Sequence, residues 1–384
     1  MRALALLAMV AGLGLLAACD KDKDVEVPAE LVDVRETLAV DRVWSQSVGD
    51  GEEKLRLAFR VAYDQGVLFA ASRGGNVEAL DAATGSRRWK VDTKRELSSG
   101  PGAGEGLVVV ATNDGDVIAL DAGNGGKRWR VQVKGEVLST PLIAKETVLI
   151  RTVDGWLRAL SASDGSERWS VEELVPRLTL RGTSSPALSG DTVVCGFDNG
   201  KVIAVSLADG DILWQSQVSI PRGRSELERL ADIDADVRIA GGDVYVVGYQ
   251  GRVAMLALDS GQIWWARDMS SYSGLAIDDD QIYVSASDGS VSALRRSDGT
   301  VLWQQDALLY RRLSAPAVDG ASVVVGDLDG YVHWLNRATG EFVARERVGR
   351  DRIVSGPLVV DGMVFVLSVD GKLVAYRSGG PAGR

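Results

Sequence analysis

The chain has 384 residues, 46% hydrophobic and 25% charged, a composition that builds packed cores and excludes disordered or fibrous chains. Its 53 acidic residues outnumber 43 lysines and arginines, and the net charge of −10 argues against a nucleic-acid partner, which needs a basic surface. One histidine and two cysteines are too few for a zinc or haem centre, and the 44 glycines point instead to many tight turns.

Met1-Arg2 opens an apolar run from Ala3 to Ala18. That run falls short of the roughly 20 residues a membrane span needs and suits the core of a signal peptide. It ends Leu16-Ala17-Ala18-Cys19, which resembles a bacterial lipobox. Residues 1–18 are therefore expected to be removed and Cys19 to carry lipid as the new N-terminus on the periplasmic side. Asp20 follows directly; in enteric bacteria an acid there marks retention in the inner membrane, which leaves the choice of membrane open. Residues 19–40, with Lys21-Asp22-Lys23-Asp24 and Pro28, read as a solvated tether. Cys195 is then the one remaining thiol besides Cys19, so no disulfide within the domain is expected.

From residue 41 to 378 the chain reads as one repeat used eight times. Turn glycines stand at Gly75, Gly115, Gly155, Gly200, Gly251, Gly289, Gly330 and Gly371. Fourteen residues after the first six come Trp89, Trp129, Trp169, Trp214, Trp265 and Trp303, and fourteen before five of them come Pro101, Pro141, Pro186, Pro316 and Pro357. The second unit shows the pattern: strand A at Ser99–Ala103, strand B at Leu107–Thr112, a turn at Asn113-Asp114-Gly115, strand C at Asp116–Asp121 and strand D at Lys127–Gln132. Four antiparallel strands per repeat, stacked radially, predict an all-β, eight-bladed β-propeller. Fourteen after Gly371 falls one past the last residue, so the eighth unit lacks its strand D. Asp41–Val48, with Trp44 in the strand D context, is expected to complete that blade and close the ring. The seventh unit departs from the pattern with Ala344 in the Trp place, and residues 379–384 are expected to be a tail.

Ala79-Leu80-Asp81-Ala82-Ala83-Thr84-Gly85 with Trp89 resembles the tryptophan-docking repeat of pyrroloquinoline-quinone enzyme propellers. A cofactor needs one site, whereas this motif recurs around the ring. Trp44, Trp89, Trp129, Trp169, Trp214, Trp265 and Trp303 therefore read as wedges between blades, each N–H seeking a partner. Asp114, Asp154, Asp288, Asp329 and Asp370 read as turn residues. His333, lacking a second ligand, reads as structural, and Cys195 as a small buried hydrophobe. The adjacent cysteines of quinone dehydrogenases are missing. No catalytic residue, metal or cofactor is expected.

Function in such a scaffold belongs to loops that break the repeat. From each Trp position to the next Pro position the spacing is 12, 12, 17, 23, 10, 13 and 13 residues, with 17 for the link from Trp44. Two consecutive connections, Ser170–Ser185 and Gln215–Asp236, stand out. Both should cross the face that carries the B–C turns and form one patch beside the fourth blade. The first holds Leu178 and Leu180 on one side of an extended stretch, with Arg181 adjacent. The second, Arg222–Asp234, is expected to begin as a short helix and ends in paired acids. Composition alone leaves a protein-binding patch and a self-packed, solvated pair of loops equally open.

Lipobox, eight repeats, Leu178-Thr179-Leu180-Arg181-Gly182 and Arg229-Leu230-Ala231-Asp232-Ile233-Asp234 together resemble the BamB family, lipoprotein subunits of the machinery that inserts β-barrel proteins into outer membranes. The resemblance covers essentially the whole mature chain. It implies a non-enzymatic scaffold, lipid-anchored at the outer membrane and facing the periplasm. It also implies that Leu178, Leu180, Arg181, Asp232 and Asp234 contact the periplasmic POTRA domains of the barrel-forming subunit, BamA, within the Bam complex. A second reading has exposed blade edges holding unfolded outer-membrane proteins by strand addition. The alternatives from other classes are a propeller lipoprotein that binds an envelope polymer, which calls for an aromatic-lined central funnel, and a degenerate quinoprotein enzyme.

Overall fold

The computed structural model describes residues 26–49, 59–176, 178–180, 182, 184–220, 224–225 and 230–381. Eight four-stranded antiparallel sheets form a ring, with no helix among the described residues. Blades 1 to 7 lie at 62–92, 97–132, 142–172, 187–217, 238–268, 274–305 and 317–347. Within each, strands A to D follow one another by hairpins from the centre outward, so D is an edge paired on one side. Strands B and C are buried on both faces and read as continuous apolar runs, as in Leu107–Thr112. Strands D alternate between exposed and covered residues, as in Lys127–Gln132.

The eighth blade joins the two ends of the chain. Leu358–Val360, Met363–Leu367 and Lys372–Pro381 supply three strands, and Leu38–Ser47 pairs antiparallel with the last of them. Pairing runs from Ser47↔Lys372 to Leu38↔Pro381, so the closing strands extend past the expected limits of 41 and 378. Each added pair shields backbone groups that would otherwise be left open at an edge.

Seven tryptophans tie blade to blade. The indole N–H of Trp44, Trp89, Trp129, Trp169, Trp214, Trp265 and Trp303 donates to the carbonyls of Ala82, Ala122, Ala162, Leu207, Leu258, Arg296 and Arg337, each in the following blade, at 2.7–3.0 Å. Each ring lies against the C–D turn glycine of that blade. At Gly261 (φ +67°) an added Cβ would sit 2.4 Å from the Trp214 ring, so only glycine lets the turn bend and the ring approach. This explains Ala344. Strands C and D of blade 8 come from opposite ends of the chain, so no C–D turn exists there to receive a tryptophan. Trp334 fills the space instead, edge-on to Tyr376 with ring centroids 5.6 Å apart.

The stretch before the closing strand differs from the solvated tether that the sequence suggests. Ala29 N–H donates to Leu309 O, Arg311 donates to Ala29 O, Arg345 donates to Val32 O, and Thr37 N–H donates to Val343 O, all at 2.7–2.9 Å. Leu31 packs beside Phe342 on the cluster around Leu308 and Leu335. Blade 7 presents an apolar outer edge, and residues 29–37 cover it. Cys19, Asp20 and Lys21–Asp24 lie outside the described residues.

Two of the anchoring arginines stand on a buried network. Arg345 Nε donates to His333 Nδ1 (3.1 Å), which puts the imidazole proton on Nε2, facing Asp327 Oδ2 at 3.1 Å. Arg311 Nε donates to the same carboxylate oxygen at 2.8 Å. Burial holds the His333 pKa below its ordinary value, against the pull of Asp327.

Candidate functional site

Chain direction reverses at every turn, so the D-to-A connections and B–C turns share one face of the ring. On it the D-to-A connections at residues 173–186 and 218–237, each described in part, flank blade 4 and are bonded to each other. Leu180 N–H donates to Asp232 Oδ2 (2.5 Å) and Ser185 N–H to Asp236 Oδ1 (3.1 Å). Gly182 sits against Asp234, close enough that an added Cβ would lie 3.3 Å from its carboxyl carbon.

The second connection is pinned from below. Ile233 and Val237 are buried in the core between blades 4 and 5, with Leu230, Ala231 and Ala235 also covered. Tyr249 N–H donates to Asp232 O (2.8 Å) and Ile233 N–H to Phe197 O (3.3 Å). The first connection is held at its start by Asn199, which donates to Leu174 O and Glu173, and by Lys201 on Glu173.

The five residues singled out from sequence therefore differ in station. Leu178 is 43% exposed. Leu180 is half-buried and faces the centre of the ring. Asp232 is fully buried, its carboxylate ordering the neighbouring loop, and Asp234 is half-buried beside it. Arg181 lies outside the described residues, as does most of the expected short helix (221–223 and 226–229). Leu174, 81% exposed, and Ile220, 61% exposed, add apolar surface to the same flank. Sequence reasoning had named their segments but not these side chains.

Beneath the loops lies a charged group that sequence reasoning missed. Arg151, fully buried, donates to Asp198 Oδ1 at 2.6 Å and stacks on the Phe197 ring. A signal was present. Arg151 ends strand B of blade 3, where the other blades carry Ala71, Ala111, Gly196, Val247, Ser285, Gly326 and Leu367. Burial pushes the Asp232 carboxyl up to about 6, with Asp198 adding to it and the Leu180 N–H opposing. Burial, then the charges of Asp198 and Asp232, push Asp234 well above the usual carboxylate range. Cys195 is buried next to this group, and burial pushes its thiol up to about 11.

The same face opens into a central funnel of about 880 Å³. Tyr249, Tyr272 and Tyr310 line one side, with Arg60 and Arg312 also in the wall, and Glu26 and Pro28 stand in its lining. Arg60 reaches across to Asp236, linking the second connection to blade 1. Among the described residues, no cluster of His, Cys, Asp and Glu is arranged to hold a metal ion.

Comparisons with known proteins agree with this architecture. The family model described as "Outer membrane protein assembly factor BamB" matches residues 39–92, 73–305 and 287–379. The assembly factor BamB of Pseudomonas aeruginosa is 48% identical over 97% of both chains, and that of Yersinia pestis 35% identical over 97% of this chain and 98% of the relative. The crystal structure of BamB from Moraxella catarrhalis superposes with a TM-score of 0.81 at 28% identity, covering 88% of this chain and all of that one. A quinohemoprotein alcohol dehydrogenase from Comamonas testosteroni, TM-score 0.71 over 90% of this chain and 77% of that one, is only 15% identical and shares the fold alone. With a family match that spans the propeller and relatives aligned over nearly the whole chain, this protein belongs to the BamB family of outer membrane protein assembly factors.

Proposed function

We propose that this protein is a non-catalytic scaffold lipoprotein of the outer-membrane β-barrel assembly complex. Lipid on Cys19 holds it at the periplasmic face of the outer membrane, and the joined loops beside blade 4 dock on the POTRA domains of BamA. The observation that carries the site is the Leu180–Asp232 bond. It makes one surface of two separate connections and leaves Leu174, Leu178 and Ile220 facing solvent. In this reading Leu178 and Leu180 are apolar anchors, Arg181 is a multidentate donor, and Asp232 and Asp234 set the loop that presents them.

The test is binding of the mature protein to the cognate POTRA domains, beside a Leu178→Ala, Arg181→Ala variant. Losing two anchors should weaken binding at least tenfold, with the β-sheet signal intact. Equal binding by both proteins would sink the loop assignment. No binding by the wild type would favour a second reading, supported by Tyr249, Tyr272 and Tyr310 in the funnel: recognition of an envelope polymer by stacking on those rings.

A further inference from the structure

The chain ahead of the closing strand is gripped by its backbone. Ala29 is bonded through both its peptide groups, its N–H to Leu309 O and its carbonyl from Arg311. Arg345 holds Val32 O, and Thr37 N–H reaches Val343 O. Neither arginine is free to swing. Arg311 is 4% exposed and gives its other donors to Asp327 (2.8 Å) and Asp329 (2.6 Å), while Arg345 is fixed by the His333 imidazole at 3.1 Å. Both guanidinium groups are thus preset, charged donors aimed at a passing main chain.

This grip fixes where the chain leaves the ring. Thr37 lies at Val343, near the C–D turn of blade 7, and Val32 lies at Arg345, two residues further along the same strand. Ala29 lies at Leu309 and Arg311, in the connection from blade 6 to blade 7 on the loop face. From 37 back to 29 the strap therefore climbs along blade 7 from the far face to the loop face. It ends with Pro28 and Glu26 in the lining of the funnel. Glu26 is the seventh residue after Cys19, and seven extended residues span at most about 25 Å. Were the strap free, the tether would run to Leu38, the nineteenth residue after Cys19, and reach about 65 Å.

We infer that residues 26–37 are an orienting strap: clamped by Arg311 and Arg345, they bring the lipid anchor out on the loop face and hold that face toward the surface of a phospholipid bilayer. The funnel and the joined connections beside blade 4 are then turned to the membrane, and a partner rooted in the same bilayer meets the docking loops on its own side of the ring. A tether of about 25 Å keeps the loop face near the bilayer, whereas one of about 65 Å would let the ring turn over. The lipid on Cys19 belongs to the function proposed above; the exit of the chain on the loop face does not depend on it.

The experiment is energy transfer from the full lipidated protein to headgroup-labelled acceptors in phosphatidylethanolamine–phosphatidylglycerol vesicles. A donor is attached at Gly74→Cys, in the exposed B–C turn of blade 1 on the loop face, or at Ala83→Cys, in its exposed C–D turn on the far face. Cys195 is buried and takes no label. Strand Asn76–Asp81 separates the two positions by about 20 Å. Transfer from residue 74 should be about twofold or more that from residue 83. Arg311→Gln with Arg345→Gln should bring the two values together. Equal transfer from both faces of the wild type, greater transfer from residue 83, or a difference that survives in the double variant overturns the proposal. Should the double variant lose its β-sheet signal, a Gly-Ser insert of about 40 residues between residues 25 and 26, with a root-mean-square span of about 35 Å, leaves every strap contact in place. The two transfers should converge there as well, and a persisting difference overturns the proposal. Protein that fails to float with the vesicles sinks the lipid-anchor reading and the orientation with it; protein that floats with equal transfer sinks the orientation alone.

Discussion

At the scale of single residues, the charged group under the loops has more acid than base. Arg151 is fully buried and pairs with Asp198, while Asp232 and Asp234 share the space without a described cation of their own nearby. Their raised pKa values fix the sign of a pH effect. A carboxyl that holds its proton more tightly when folded stabilises the fold at low pH and loses that contribution as pH rises from the ordinary carboxylate range through about 6, the value for Asp232. Asp234→Asn should therefore raise stability by about 1 kcal/mol at pH 7.5, with the gain vanishing near pH 4. Thermal denaturation of both proteins across that range checks it; a gain that persists at pH 4 would contradict the charge argument. The turn aspartates are a different case, since the carboxylates of Asp288 and Asp370 hold local hydroxyls at 2.5–2.8 Å.

Among the elements, the two long connections owe their shape to few contacts. Asp232 is the pivot: its carbonyl takes Tyr249 N–H from blade 5, and its carboxylate takes Leu180 N–H from the other loop. Asp232→Ala removes that acceptor, whereas Asp232→Asn keeps an oxygen in its place. Exchange of the Leu180 amide should therefore be at least tenfold faster in the alanine variant and little changed in the asparagine one. Unchanged exchange in both would mean that the loop is ordered by other contacts. Repeat spacing exposed these loops as overlong, but not which side chains they turn outward. Leu178 and Leu180 are two residues apart, and yet one is exposed and the other lines the funnel: the chain bends at Leu178, and Leu180 is held to Asp232.

For the whole molecule, stability depends on a closure made without a covalent link. Strand Leu38–Ser47 supplies the fourth strand of blade 8, and Trp44 docks on Gly85 and Ala82 of blade 1. Deleting 38–47 would expose the core of blade 8 and remove one inter-blade anchor, so the ring should lose its cooperative unfolding transition. A circular permutant that joins residue 381 to residue 38 by a short turn, with new ends at the open turn glycine Gly320, should keep both the β-sheet signal and the transition. Leu38 and Pro381 are paired partners, a span that hairpin loops of 2–5 residues close. Failure of the permutant would show that the paired strands alone do not close the ring, and that the order of synthesis or the cover of residues 29–37, which the permutant lacks, is also needed.

The eightfold repeat, its strand boundaries and its closure were legible because each depends on local spacing. A glycine at a hairpin and a tryptophan fourteen residues later mark strands that pair with their sequence neighbours, and in blade 2 strands B, C and D fall at the expected residues. Ala344 could be read as an exception but not explained, since its cause is the missing turn in a blade built from both ends of the chain. The clamping of 29–37 by Arg311 and Arg345, the bond between loops fifty residues apart, and the pairing of Arg151 with Asp198 were likewise not local. They join residues that only the closed ring brings together. Sequence patterns set pairing between neighbours through periodicity, whereas contacts across blades depend on where the ring places each edge and loop, and that geometry belongs to the tertiary structure alone.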